Sequence, residues 1–587
     1  MECNFFQLYF LTGKEKYFFG LSPEPLVDFQ YFQAQGYEKM TVLTPPLPLA
    51  VVEPLLKLAG EKKGGKWWNH FFNRLPFTNK SEAILEETLT RIQKQVQQLP
   101  VEINLSPQEL KAKQSIPKIP EDTLRKAQAV LQGRILFASE VEWALKEKRI
   151  FGNPQALAHS LCLAGKASWQ RGISPEGQCQ RCGSRALQNK KCWWGKGWEC
   201  FYCPECVTMG QCRFCSVLYS FPPTIGKERM EVSLGLNFAL TPAQTEASRK
   251  LEEFLEIKEE KCLLWAVCGA GKTEIVYGAI RKALAKGEKV LLAIPRQEVV
   301  RELLPRLQGA FPSVKIIGLY GRSREKYSSG QLVVATTHQA LRFYQNFSLV
   351  VLDEVDAYPY RGNAMLQYGI ERAGKGKIIY LTATPEEKML KLPTITIPAR
   401  HHGFPLPEPE LLALSHPTLE EIQEQGLPRV ILDYLEESVE KDGCQVFIFL
   451  PTIKLTTAVG KWLKEYYQRE KGVDWVEYSH SQDPEREKKK EDFTQGDFPF
   501  LVTTTIMERG VTIPRLNVLV LYSDQERIFN TQALIQMAGR VGRKKEYPRG
   551  RVLLAGNKIS PAMQQAREMI RKMNQEAKAK GYLKPFN

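Results

Sequence analysis

Lys272 and Thr273 close the run Ala266-Val-Cys-Gly-Ala-Gly-Lys-Thr273, which follows an apolar segment and precedes a helical one, Glu274 to Ala285. That context suits a phosphate-binding loop. Gly269 and Gly271 let backbone N–H groups turn inward around phosphate oxygens, Lys272 can reach the terminal phosphates of ATP, and the Thr273 hydroxyl can hold Mg²⁺. The first position is Ala266, where the strict pattern has glycine. Farther along, Asp353-Glu354-Val-Asp356 follows directly on the apolar run Phe347 to Leu352. Acids at the carboxyl end of a buried strand stand where ligands bind in α/β sheets, so Asp353 can hold Mg²⁺ and Glu354 can orient and help deprotonate an attacking water. In Gln536-Met-Ala-Gly-Arg-Val-Gly-Arg543, Arg540 and Arg543 are three residues apart and share one face of a helix. Such a pair can neutralise charge on a transferring phosphate. Each segment alone has a plainer explanation: a glycine turn, a solvated acidic loop, a basic patch. Their order along one chain favours the catalytic set.

A second constellation is thiol-rich: Cys179-x2-Cys182-x9-Cys192-x7-Cys200-x2-Cys203-x2-Cys206-x5-Cys212-x2-Cys215. Each C-x-x-C turn can present two thiolates to one tetrahedral Zn²⁺, and two such turns about 15–20 residues apart make a zinc ribbon. Cys179/Cys182 with Cys200/Cys203 or with Cys203/Cys206 meets that rule; Cys179, Cys182, Cys203 and Cys206 are the first choice. Eight thiols suffice for one site or two, with Cys192, Cys200, Cys212 and Cys215 forming the second. Two is preferred, because unligated thiols beside a filled site invite oxidation. The segment has too few aliphatic residues for an ordinary core, so buried, unligated cysteines explain it poorly. Between the thiols lie Lys190, Lys191, Trp193, Trp194, Lys196 and Trp198, a mixture of cations and flat rings that suits single-stranded DNA as well as packing around a metal. For Lys62, Lys63, Lys66, Trp67 and Trp68, a solvated face beside a tryptophan pair is the preferred reading.

The elements that must hold these groups follow from the apolar pattern. From Leu234 onward, short runs (Cys262–Val267, Val290–Ile294, Leu332–Ala335, Leu349–Leu352, Ile378–Leu381) alternate with helical segments, which predicts a parallel sheet. After a proline-rich break around Pro393 to Pro409 the pattern restarts with Gln445–Leu450, Phe500–Thr503 and Val518–Tyr522. Upstream, residues 1 to about 170 mix aromatic strand-like runs (Asn4 to Phe10, Tyr17 to Leu21) with helical stretches such as Glu82 to Gln98, and Pro100 to Pro120 reads as a linker. The chain has 587 residues, too many for one core. Its 43% hydrophobic content excludes disorder throughout. Lys and Arg number 81 against 65 Asp and Glu, a net +16, which points to a polyanionic partner, nucleic acid or a membrane surface. Without a long apolar segment or a basic signal region, an intracellular, soluble protein is expected.

In their order these segments resemble the RecA-like core of superfamily 2 helicases and translocases, over about residues 235–555. Ala266 to Thr273 looks like motif I, Ile294-Pro-Arg296 like Ia, Thr336-Thr-His-Gln339 like Ib and Asp353 to Asp356 like II. Thr382-Ala-Thr384 looks like III, Thr504-Thr-Ile-Met-Glu-Arg-Gly510 like V and Gln536 to Arg543 like VI. Leu240-Thr-Pro-Ala-Gln244 resembles the upstream glutamine motif, which implies that Gln244 reads adenine. The string Asp-Glu-Val-Asp-Ala-Tyr-Pro at 353–359, the form Met507-Glu-Arg-Gly510 and a cysteine module ahead of motif I are similar to the ComFA family, DNA-uptake ATPases of competent Gram-positive bacteria. The family pattern also carries Cys200, Cys203 and Cys206 with Met209-Gly210. In PriA-type restart helicases the cysteines instead interrupt the second lobe, and the acidic motif typically ends in His where this chain has Asp356. The ComFA resemblance implies a cytoplasmic motor at the inner face of the membrane, stimulated by single-stranded DNA, associated with the membrane uptake machinery and working with a ComFC-type partner.

The expected architecture is α/β: two tandem RecA-like domains at 235–400 and 405–560, preceded by an N-terminal domain of uncertain fold at 1–173 and a zinc-binding module at 174–220, and followed by a basic helical tail at 561–587. ATP is expected in the cleft between the lobes. Lys272, Thr273, Asp353 and Glu354 would bind nucleotide with Mg²⁺ and activate water, and Arg540 and Arg543 would complete the site. With the ATP site in other domains, loss of zinc is expected to damage DNA-dependent stimulation more than basal hydrolysis. Three functions compete: a single-stranded DNA translocase for uptake, a duplex-unwinding helicase of restart or repair, and a zinc-dependent nucleic-acid-binding scaffold with a vestigial ATPase. The full set of acids and arginines argues against the third.

Overall fold

A computed structural model of the chain describes residues 5–14, 16–60, 75–76, 81–99, 103–110, 119–191, 199–224, 229–235, 238–505 and 513–584. The regular apolar runs become two parallel sheets, as the alternation predicts. The first has seven strands in the order Ile316–Leu319, Leu332–Thr336, Val290–Ile294, Phe347–Leu352, Gly374–Thr382, Lys261–Ala266, Thr394–Ile397. The second has six, in the order Glu410–Ala413, Val552–Gly556, Leu516–Val520, Gln445–Phe449, Phe500–Thr503, Val476–Ser479. Their central strands are buried from end to end, as sheets covered on both faces must be. Because every pairing is parallel, the carboxyl ends of the first sheet share one edge. There the strand Gly374–Thr382 stands between the strand leading into the glycine loop and the strand leading into Asp353.

The N-terminal region is an antiparallel sheet built on Phe5–Gly13, flanked by Lys16–Ser22 and Tyr37–Val42. The two aromatic runs are therefore strands, and Glu82 to Gln98 lies largely within the helix Ser81–Val96. Part of the expected linker also pairs: Gln108–Leu110 adds to Tyr37–Val42. A buried polar knot fastens this sheet to its helices. Asp28 accepts hydrogen bonds from the Tyr9 hydroxyl at 2.9 Å and from Ser22, with His159 Nε2 at 2.6 Å.

Two expected boundaries move. The cysteine segment, expected as a zinc-binding module at 174–220, is inserted between Ser168–Arg171 and Val217–Phe221, strands of one sheet that also contains Arg134–Phe137. Residues 561–587 are not a tail in the sense expected. The helix Pro561–Ala579 buries Met563, Ala566, Ile570 and Met573, and only its outer face is basic.

The cysteine segment rests on the first parallel sheet. Alternation along the strand sends Leu264 to one face and Leu263 to the other, and on Leu263's side the core is shared by Leu291, Val350, Phe137 and the thiols of Cys179, Cys182, Cys203 and Cys206. Polar groups fix the docking. Glu140, nearly buried, takes Arg181 Nη2 at 3.2 Å and Arg342 Nε at 2.8 Å, and Arg372 donates to the carbonyls of Gln180 and Arg181 on one side and Leu341 on the other. Burial alone would raise the Glu140 carboxyl; the two guanidinium groups and the Phe137 N–H more than offset it, leaving it below the ordinary carboxylate value. Arg134 adds bonds to the carbonyls of Lys326 and Ser328 at 3.3 and 2.8 Å.

Candidate active site and metal centre

The strand Lys261–Ala266 runs into a loop in which Gly269 (φ +83°) and Gly271 (φ +74°) take left-handed conformations, which residues with a Cβ adopt only at a cost. At Gly271 a Cβ would also lie 2.6 Å from Gln244 Nε2. The loop ends at Lys272, the first residue of the short helix Lys272–Ile275. Gln244, 4% exposed, supports this loop. Its Oε1 accepts from the Thr241 N–H at 2.8 Å and its Nε2 donates to the Ala270 carbonyl at 2.8 Å. That is a contact to the loop itself, which the resemblance to an adenine-reading glutamine did not include.

Asp353 is buried, and its Oδ1 accepts from the Glu354 N–H at 2.8 Å. Burial pushes its carboxyl up to about 6, opposed by the nearby Lys272 ammonium and reinforced by Glu354. A bound cation would relieve that penalty, so the glycine cradle, Lys272 and the buried acid are a donor set that fits a nucleotide with Mg²⁺. Glu354 itself has φ +52°, a conformation that is strained for a side chain of this kind and concentrates at functional sites. Asp356 is held by the strand between: Thr382 Oγ1 donates to its Oδ1 at 2.7 Å and Thr384 Oγ1 to its Oδ2 at 3.0 Å.

Both lobes meet here. Gln536, in the helix Thr531–Ala538 of the second lobe, reaches Asp356 Oδ2 with its Nε2 at 3.4 Å and accepts from Cys268 Sγ at 3.2 Å. A Cβ on Gly539 would lie 2.5 Å from the Cys268 Cβ, so the contact needs glycine there. Arg540 is buried and Arg543 half-buried in the turn that follows. Sequence reasoning missed the residues that carry this turn. Arg400, 2% exposed, stands just beyond the edge strand Thr394–Ile397 of the first lobe and donates to the carbonyls of Val541 and Gly542 at 2.8 and 2.6 Å. Burial lowers its guanidinium to about 10, still charged at neutral pH. The His401 N–H donates to the Gly269 carbonyl at 3.1 Å, and His402 Nε2 lies 3.1 Å from the Gly542 carbonyl. One short segment thus touches the glycine loop of one lobe and the arginine turn of the other. The sequence signal was present as Arg-His-His ending an apolar run, inside what read as a break.

Arg400→Lys tests this clamp. A lysine keeps the charge but cannot span two carbonyls from a planar fork, and a misplaced catalytic group costs up to about a hundredfold. Turnover of ATP should fall by about tenfold or more with the KM for ATP changed much less, as measured by steady-state kinetics. Equal kcat in variant and parent would show that the arginine turn does not depend on Arg400.

Four thiols form a closed set, with Cys212 against Cys179 and Cys206 beside it. Sγ atoms of Cys179, Cys182, Cys203 and Cys206 lie within 4.8 Å of one another, all buried, with Cys179 to Cys206 at 3.8 Å and Cys182 to Cys203 at 3.5 Å. Four thiolates at about 2.3 Å from a tetrahedral Zn²⁺ stand roughly 3.8 Å apart, so this set fits the metal. Cys200 and Cys215 pair at 3.6 Å, and Cys212 Sγ donates to the Gly172 carbonyl at 3.1 Å. Cys192 lies outside the described residues, as do Trp193, Trp194, Lys196 and Trp198, the cluster Lys62 to Trp68, and Met507 to Gly510.

Comparison with known proteins bears on the whole chain. Residues 121–220 match the competence protein ComFA N-terminal domain, 237–387 the type III restriction enzyme res subunit family, and 428–545 the helicase conserved C-terminal domain. The chain is 34% identical over 472 residues to competence protein ComFA of Bacillus subtilis (strain 168), covering 79% of this chain and 96% of the relative. It is 35% identical over 437 residues to competence protein ComFA of Streptococcus pneumoniae (strain ATCC BAA-255 / R6), covering 73% of this chain and 98% of the relative. ATP-dependent DNA helicase RecG of Streptococcus pneumoniae serotype 4 (strain ATCC BAA-334 / TIGR4) is 26% identical over 58% of this chain and 52% of its own length. The two tandem RecA-like folds make the chain an ATP-hydrolysing enzyme of the superfamily 2 helicase type. With relatives matched over nearly their full length and the same N-terminal domain ahead of the motor, the chain belongs to the ComFA family of competence proteins.

Proposed function

We propose that this helicase-like ATPase is a single-stranded DNA translocase that drives DNA uptake in natural transformation. The observation that carries the reading is the sharing of Asp356 between Thr382 and Thr384 of one lobe and Gln536 of the other, because it ties the acid loop to the position of the second lobe. Backbone N–H groups around Gly269 and Gly271 bind the phosphates, and Lys272 neutralises their charge. Thr273 and Asp353 would hold Mg²⁺, which when bound supplies charge neutralisation on the transferring phosphate. Glu354 orients the attacking water and takes its proton, while Arg540 and Arg543 stabilise charge that develops in the transition state. Completion of the site from two lobes makes hydrolysis depend on closure, and repeated closure moves a strand lying across both. Zn²⁺ on the four clustered thiols would hold the N-terminal insertion in shape. By kinship we extend the reading to a ComFC-type partner at the inner face of the membrane; among the described residues no helix is long and apolar enough to cross one.

Mixed-sequence single-stranded DNA should accelerate ATP hydrolysis severalfold, with weak sequence preference and an affinity that drops steeply with salt as counterion release is lost. Hydrolysis is to be followed with single-stranded DNA, duplex DNA and RNA beside an unwinding assay. Efficient duplex unwinding would favour the restart-helicase alternative. Tight binding of one duplex sequence surviving about 200 mM salt would sink the motor reading.

A further inference from the structure

Between the cysteine knuckle and the loop that follows the acids lies a groove of about 700 Å³, within the size range of pockets that take groups of small-molecule size. One wall holds Gly183, Arg185 and Glu205; the other holds Tyr358, Arg361 and Tyr368. Tyr358 is 82% exposed and Tyr368 36%, two flat faces bordering one space. Tyr368 is fixed in place, its ring backed by Arg372 at 5.4 Å and so close to Gly183 that a Cβ there would lie 2.7 Å from it. Tyr358 projects from a loop that is tied down on both sides. Asp356 is held by Thr382 and Thr384, Tyr360 is buried, and Arg361 Nη1 donates to Gln532 Oε1 of the second lobe at 2.8 Å. The lining carries Arg185 and Arg361 against Glu205, and Arg361 also pairs with Glu386 at 3.3 Å. Exposed rings beside guanidinium groups match a polyanion that carries its own flat faces, whereas a free phosphate has no use for the rings.

We propose that this groove is a base-stacking site for single-stranded DNA, with Tyr358 as the platform, and that the strand's presence reaches the ATP site through the four residues between Tyr358 and Asp353. The proposal rests on the single-stranded DNA reading above. Its mechanical content is short. The stretch 353–361 begins at the candidate Mg²⁺ acid, passes through the acid that contacts Gln536, and ends at an arginine bonded to Gln532 on the same helix of the second lobe. A base stacked on Tyr358 therefore fixes a segment that both the water-activating residue and the second lobe depend on.

The experiment is a thermodynamic cycle on the full-length, metal-loaded protein. Parent, Tyr358→Ala and Tyr358→Phe are each titrated with a mixed-sequence oligonucleotide and with a strand of the same length carrying an abasic stretch, reading DNA affinity by fluorescence and the DNA concentration that half-saturates ATPase stimulation. Loss of one stacked base weakens binding roughly 5- to 150-fold, so Tyr358→Ala should lose that much on the normal strand and little further on the abasic one. Tyr358→Phe, which keeps the ring, should stay close to the parent. If Tyr358→Ala binds and is stimulated like the parent, or if its loss and the abasic loss simply multiply, the groove is not a stacking site while the motor reading stands. If the parent itself neither binds nor responds to single-stranded DNA, the two fall together.

Discussion

Lys272→Ala is expected to lower ATP turnover by at least about a hundredfold while leaving nucleotide-free DNA binding largely intact. The ammonium pulls the Asp353 carboxyl down against burial, so its removal strips positive charge from the place where phosphates must sit. Loss of a single preorganised electrostatic contact to the reacting group costs about 10²–10³ in rate. A companion variant, Glu354→Gln, should bind ATP and fail to hydrolyse it, because the amide keeps size but cannot take a proton. Single-turnover hydrolysis beside equilibrium ATP binding separates the two. Hydrolysis by Lys272→Ala at the parent rate would mean that the glycine loop is not the phosphate site.

Metal removal is the second large effect, and its expected form differs from what the linear order of domains suggests. Purified protein should carry at least one zinc per chain, because one set of four thiols closes among the described residues. Stripping the metal leaves four buried thiols with nothing to bridge them, replacing Cys182 and Cys203 together leaves only two of the set, and either change loosens a core shared with the ATPase sheet. Structural zinc is worth on the order of 10 kcal/mol in small modules. Even a fraction of that, at roughly 2–4 °C per kcal/mol for units of this size, lowers the thermal midpoint by about 10 °C or more. Basal ATPase should fall along with DNA stimulation, since Leu263, on the strand feeding the glycine loop, packs in the same cluster. A metal-depleted protein that keeps its melting point and basal rate would show the thiols to be dispensable.

What the sequence made legible follows from where its information is local. Central strands such as Val290–Ile294 and Phe347–Leu352 are uninterrupted apolar runs and were read almost to the residue, and the glycine loop and acids follow them at fixed offsets. Edge strands were missed. Ile316–Leu319, Thr394–Ile397 and Glu410–Ala413 are four residues long, the last two only partly buried, and runs this short are hard to separate from loop by pattern. The clamp Arg400 to His402 was hidden for a different reason: its partners, Gly269 and Val541, are more than a hundred residues away on either side. Nor could spacing reveal that the cysteine segment interrupts a sheet, because the strands flanking it are recognisable only by their mutual pairing. Spacing did single out the four thiols that the fold brings within 4.8 Å of one another, since two C-x-x-C turns are each a local geometry.

The seating of the N-terminal half has a consequence for how force would be delivered. The bonds described above through Arg134, Arg342 and Arg372 join the N-terminal half to the first lobe, and Arg181 braces Glu140 within the N-terminal half. Among the described residues the N-terminal half is thus fastened to the first lobe, an arrangement that would leave the second lobe to make the swing. In a machine whose larger piece is moored, the smaller piece makes the stroke and the larger takes the recoil. A tether to a fixed structure would act best through the N-terminal half, where it would convert each closure into displacement of the strand rather than of the enzyme.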